Sequence, residues 1–115
     1  MRDRTRKAIR DAAEEFRRQI QRAPDDAMAY NQLAWLIANT EGDQREALRC
    51  SQDSLRLRPE EPGYLDTLGR CYYASGDLEN AVKSQSRAVE LQSHSGLMNK
   101  QLEFFKAELA KKKSS

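Results

Sequence analysis

Apolar residues return along this chain with the spacing of a helix, in six runs separated by short polar turns. Between residues 26 and 40, Tyr30, Leu33, Ala34 and Ile37 fall at i, i+3, i+4 and i+7, one face of a helix. Residues 61–75 repeat the arrangement with Leu65, Leu68, Gly69 and Tyr72. Residues 43–58 set Ala47, Leu48, Leu55 and Leu57 on or near an inner side that Ser51 and Ser54 weaken. Residues 77–91 match them with Leu78, Ala81, Val82, Ala88, Val89 and Leu91. The flanking runs are 3–22, with Ile9, Ala12, Ala13, Phe16 and Ile20, and 95–112, with Met98, Leu102, Phe105 and Leu109 and with Leu97 beside them. The punctuation agrees. Asp43 with Glu46 reads as a capping box, Asp77 as an N-cap, and Pro62 as a first-turn proline. Gly42 and Gly76 stand where a helix stops and the chain turns.

The runs come in pairs, and the pairs repeat. Pro24 and Pro59 are 35 residues apart, as are Leu33-Ala34 and Leu68-Gly69; Gly42-Asp43 and Gly76-Asp77 are 34 apart. The first unit therefore carries one extra residue, in the turn before Gly42. Two helices per unit at this period predict an all-α solenoid. One pair cannot bury its own apolar face, so neighbours must stack. Residues 3–22, closed by Pro24, match the second helix of a unit whose first helix is absent.

These residues resemble the tetratricopeptide repeat family. The motif reads Tyr30, Leu33, Ala34, Ile37, Gly42, Ala47, Ser54 and Pro59 in one unit, and Leu65, Leu68, Gly69, Tyr72, Gly76, Ala81 and Ala88 in the next. Ser93 stands where a closing proline is expected, and Ala12, Phe16 and Pro24 match from the half-unit before. The resemblance spans residues 8–93, and the run Tyr64 to Gly69 is similar to the last repeat of bacterial members, where a capping helix follows. It implies a right-handed α-solenoid in one domain: a half-repeat over 3–25, repeats over 26–60 and 61–93, a capping helix over 94–112 and a tail over 113–115. It also implies a non-catalytic scaffold or adaptor that binds a peptide or a partner helix on the concave face, lined by the first helix of each pair. Side chains pointing away from the paired helix are Asn31, Trp35 and Asn39 in one unit and Asp66, Arg70 and Tyr73 in the next, with Lys100 and Phe104 added by the closing helix. Asparagine amides can pair with peptide amides, Arg70 and Lys100 with a carboxylate, and the aromatic rings can anchor apolar groups. The subfamily that clamps chaperone carboxyl-tails carries a Lys and Asn pair where this chain has Asn31 and Trp35, so that role is not implied.

Composition narrows the alternatives. The chain has 115 residues, 33% of them charged and 38% apolar, with 5 Gly and 3 Pro, which suits amphipathic helices joined by short turns. Its 20 basic and 18 acidic residues are interspersed, for a net charge of +2, so no overall pull toward nucleic acid or membrane is expected. Arg2, Arg4, Arg6, Lys7 and Arg10, and the run Lys111 to Lys113, read as solvated ends. Cys50 and Cys71 lack metal or redox spacing and read as free thiols of a reducing, cytoplasmic compartment. His94, the sole histidine, sits in a turn, and no phosphate loop, nucleophile elbow or metal cluster appears, so neither enzyme nor cofactor is expected. The competing function is self-assembly. Ile9, Phe16 and Ile20 form a stripe on the side where a preceding helix would lie; either two copies cover it as a homodimer, or a longer natural chain supplies the missing helix.

Overall fold

The computed structural model describes residues 3–114; Arg2 of the basic N-terminal cluster and Ser115 of the tail lie outside them. Six α-helices follow in order: α1 (Asp3–Arg22), α2 (Ala27–Asn39), α3 (Gln44–Leu57), α4 (Pro62–Ala74), α5 (Leu78–Leu91) and α6 (Gly96–Ser114), and no strand occurs among the described residues. Local chemistry sets the starts. Asp26 accepts from the Ala29 amide at 3.2 Å, Asp43 from Arg45 at 2.9 Å and Asp77 from Asn80 at 3.2 Å. Pro62 opens α4, where its missing N–H costs nothing. Gly42 and Gly76 take φ of 137° and 84°, the left-handed region that ends α2 and α4. Glu60 is also left-handed, at φ 69°, in the turn that Pro59 begins, and its carboxylate is gripped by Arg87.

One cap differs from expectation. Glu46 does not close a capping box on Asp43. Both its oxygens go to Arg17 of α1, which donates from Nε at 2.9 Å and from Nη2 at 2.8 Å. A two-pronged guanidinium bond outcompetes a single bond to a backbone amide. Arg17 thereby lashes α1 to α3.

Helices α2 and α3 form one hairpin, and α4 and α5 the next. Helix α4 lies against both members of the first hairpin; α6 packs on α5 and α1 on α2. This is a solenoid of stacked hairpins. Small residues make the close approaches: Ala34, Ala47, Ala81 and Ala88 are fully buried. At Gly69 the need is most acute. A Cβ there would stand 2.8 Å from Gln85 Oε1, 3.3 Å from the Phe105 ring and 3.4 Å from the Ala81 carbonyl oxygen. The missing side chain admits Gln85, whose fully buried amide then joins three helices. Its Nε2 donates to Asp66 Oδ1 at 2.6 Å and to the Met98 carbonyl at 3.0 Å, and its Oε1 accepts from Gln101 at 2.9 Å. Phe105, fully buried, seals the apolar side of the joint. Leu97 departs from the expected stripe of α6. It is 83% exposed, because Met98, Leu102 and Phe105 already use the face that α5 can cover.

Cys50 and Cys71 are free and buried. Burial pushes their thiols up to about 11 and about 12, so both are protonated packing groups near neutral pH. The Cys71 thiol faces the carbonyls of Ala34 at 3.9 Å and Ala47 at 3.7 Å, stitching α4 to the hairpin before it.

Two outcomes follow from this packing. Gly69→Ala should lower the unfolding free energy by roughly 1–3 kcal/mol in chemical denaturation, since the new methyl must displace a pinned amide and a packed ring. The Arg17 hydrogen bonds hold the Glu46 carboxyl below its usual range, outweighing the upward push of burial. Its contribution to stability is therefore complete above the unfolded-state value of about 4.3 and fades as pH falls through the lower folded-state value. Glu46→Gln should cost on the order of 1 kcal/mol at neutral pH, Arg17 being partly screened by solvent, and the difference from the parent should vanish in acid.

Candidate functional site

Helix α2 carries no Asp, Glu, Lys or Arg over its 13 residues, in a chain that is 33% charged. A helix without charge is ordinarily covered on all sides. Here Met28 is 56% and Trp35 53% exposed, so α2 turns a large apolar surface outward. Asn39 borders it. Its Nδ2 donates to the Trp35 carbonyl at 2.8 Å, and its Oδ1 accepts from Arg70 Nε at 3.1 Å, which couples the end of α2 to α4. Asn31 lies half-buried on the same helix, its Oδ1 sealed from solvent without a hydrogen-bond partner among the described residues.

On α4 and α6 the structure brings together Arg70, Tyr73 and Phe104. The guanidinium carbon of Arg70 lies 5.2 Å from the centre of the Tyr73 ring. Tyr73 stacks on Phe105 at 5.2 Å and meets Phe104 at a tilt of 59° and 5.3 Å, and Phe104 is 43% exposed. This places a cation over an aromatic cluster. Arg70 spends its Nε on Asn39, which leaves both Nη groups as donors suited to a carboxylate.

Five expected site residues stand apart from that cluster. Half-buried Asp66 has one carboxylate oxygen engaged inside the stack. Its Oδ1 accepts from buried Gln85 at 2.6 Å and from half-buried Gln101 at 3.1 Å, because these amides need an acceptor there. Lys100 is exposed on α6 and joins none of the contacts above. Ile9, Phe16 and Ile20 are all half-buried, so their stripe on α1 is only partly open. Ile20 packs on the core, Ile9 borders a cleft of about 600 Å³ beside Ile37 and Glu41, and Phe16 borders another of about 450 Å³ beside Asn31 and Trp35. Met28, Gln32 and Leu36 were missed as surface residues, although the lack of charge along α2 was legible. Gln85 was missed because a glutamine on an inner face reads as an interruption.

No group of three or more His, Cys, Asp or Glu among the described residues is arranged to hold a metal. No described helix is long and apolar enough to cross a membrane.

Comparison with known proteins agrees with the stacked hairpins. Residues 63–95 match the tetratricopeptide repeat family model. The chain is 36% identical over 82 residues to a probable biofilm formation methyltransferase, WspC, of Pseudomonas putida, covering 71% of this chain and 19% of that protein. It is 32% identical over 71 residues to the TPR repeat-containing protein PA4667 of Pseudomonas aeruginosa, covering 62% of this chain and 12% of that one. The chain thus corresponds to a small part of either relative, and the methyltransferase activity is that protein's own.

Asp66→Ala should leave the Gln85 and Gln101 amides short of an acceptor and cost about 1–3 kcal/mol, with faster hydrogen exchange along α6. Asp66→Asn keeps an oxygen at that place and should recover most of the loss.

Proposed function

This chain is of the tetratricopeptide repeat family, whose repeats mediate protein–protein interaction, and from that premise we propose that it is a non-catalytic binding module that takes a peptide or partner helix on the face shared by α2, α4 and α6. The half-repeat, two repeats and closing helix act in this reading as one domain. The carrying observation is Trp35, a large aromatic residue more than half exposed on an uncharged helix, next to the Asn39–Arg70 link. Tryptophan and arginine are the residues that most often dominate binding energy. Trp35 and Phe104 supply apolar area, the Nη groups of Arg70 a carboxylate contact, and the Asn31 amide a partner for a peptide backbone. An extended acidic–apolar segment is the complementary chemistry. Similarity to part of a methyltransferase supports a module that works attached to or beside larger proteins.

Peptides selected from a random display library on the intact chain provide the test. On binding, they should shift the emission of Trp35, the chain's single tryptophan. The Trp35→Ala, Arg70→Ala double variant should weaken them by about a hundredfold, in line with loss of two anchors. Selected peptides that bind the folded double variant with undiminished affinity would show that the face is not the site.

A further inference from the structure

Trp35 and Arg70 are one repeat apart and hold the same place on α2 and α4, the first helices of successive hairpins. Asn39, one turn beyond Trp35, ties the two together. Its Nδ2 donates to the Trp35 carbonyl at 2.8 Å and its Oδ1 accepts from Arg70 Nε at 3.1 Å, so both ends of the amide are engaged. The counterpart of Asn39 on α4 is Ala74, which has no polar side chain, so the repeat itself does not require such a bridge. The partner that Arg70 receives is also of a different kind. Several arginines of this chain are held by carboxylates: Arg17 by Glu14 and Glu46, Arg22 by Glu15, Arg56 by Asp53, and Arg87 by Glu60 and Glu90. Each of those is fixed and neutralised at once. Arg70 is fixed by an amide oxygen, which accepts the hydrogen bond and brings no net charge. Asp66, one turn before it on α4, gives Oδ1 to Gln85 and Gln101.

Resting on the binding face proposed above, we propose that Asn39 is its specificity-determining residue: it holds Arg70 in place through Nε without neutralising it, and so reserves the guanidinium for a carboxylate on the bound segment. Two contacts restrain the Arg70 head. Asn39 fixes the Nε edge, and the guanidinium carbon lies 5.2 Å from the centre of the Tyr73 ring. The pair of Nη groups is left, and their N–H bonds match the two oxygens of a carboxylate. A side chain oriented before the bound segment arrives loses less freedom when it pairs. Position 39 therefore calls for an uncharged group with both an acceptor and a donor. Aspartate there would still accept from Nε, but it has no N–H for the Trp35 carbonyl, and its charge would compensate Arg70 and repel an incoming carboxylate. Alanine would leave Nε unheld. Asn39 acts through Arg70 rather than on the amides of the bound segment, because both ends of its own amide are engaged.

The probes are an acidic peptide from the display selection and its analogue with every Asp and Glu replaced by Asn and Gln, each titrated calorimetrically into the intact chain. The parent should prefer the acidic peptide by about tenfold or more, the scale of hydrogen bonds to a charged group. Asn39→Ala and Asn39→Asp, checked for helicity by circular dichroism, should each cut that preference by about fivefold or more, the aspartate variant more deeply. In an Arg70→Ala chain, which should lack the preference, adding Asn39→Ala should change the ratio no further. Equal loss of affinity for both peptides in Asn39→Ala would show a merely structural role and overturn the proposal. So would a preference that survives Asn39→Asp. Either result leaves the binding face standing, since that face is tested by the Trp35→Ala, Arg70→Ala variant. A selection that returns no acidic peptide, or a preference that Arg70→Ala leaves intact, would overturn the proposal together with the carboxylate contact of Arg70.

Discussion

Close approach of helix backbones across small residues is the constraint on which everything else here depends. Gly69 meets its partner helix at Ala81, Ala34 and Ala47 are fully buried in the hairpin before it, and a helix pair drawn that tight has apolar side chains left over on both flanks. Only another pair can cover them, so the fold propagates as a stack and its stability resides as much between hairpins as within them. The thiol of Cys71, directed at carbonyls of both α2 and α3, marks one such junction. Each large apolar side chain sealed at these junctions contributes about 1.5–3 kcal/mol, which is how a polar chain with short turns holds one shape.

The two flanks of the described hairpins are unlike. At the downstream end α6 takes the place of a further first helix and binds through a mixed joint. Phe105 supplies the apolar part, while Asp66, Gln85 and Gln101 satisfy one another in a buried knot. A buried amide is costly unless every partner is in place, so this joint fixes the register of α6 more narrowly than greasy contact would. At the upstream end α1 is fastened to α3 by the Arg17–Glu46 fork and to α2 by half-buried residues. An apolar surface remains uncovered there, on a helix without a single charge.

The binding surfaces arise from the same architecture. First helices of successive pairs lie side by side, so residues distant in sequence become neighbours. Asn39 reaches Arg70 across 31 positions, and Arg70 in turn rests on a ring platform completed by α6. Anchoring by rigid helices holds these groups in place before any ligand arrives, which lowers the entropic cost of association.

The helices, their pairing and the family were legible from one chain, because periodicity, caps and turn glycines are local signals that recur in phase. The identities of Trp35, Arg70, Tyr73 and Phe104 as outward residues were legible in the same way, from helix geometry alone. Other features depended on tertiary competition. Glu46 had a local partner within reach and a better one on α1; Asp66 could have paired within its own helix and was instead claimed by the amides of Gln85 and Gln101. Leu97 and Phe105 are both apolar residues of α6, yet only one lies where α5 offers a surface. Ile9, Phe16 and Ile20 share one face of α1, yet only Phe16 and Ile20 pack against the core. Sequence by itself determined which segments are helical and which face of each is apolar, since both follow from spacing along one helix. Which polar groups pair, and which apolar faces stay open, was decided only when the helices met, because those outcomes depend on groups from separate elements competing for the same space.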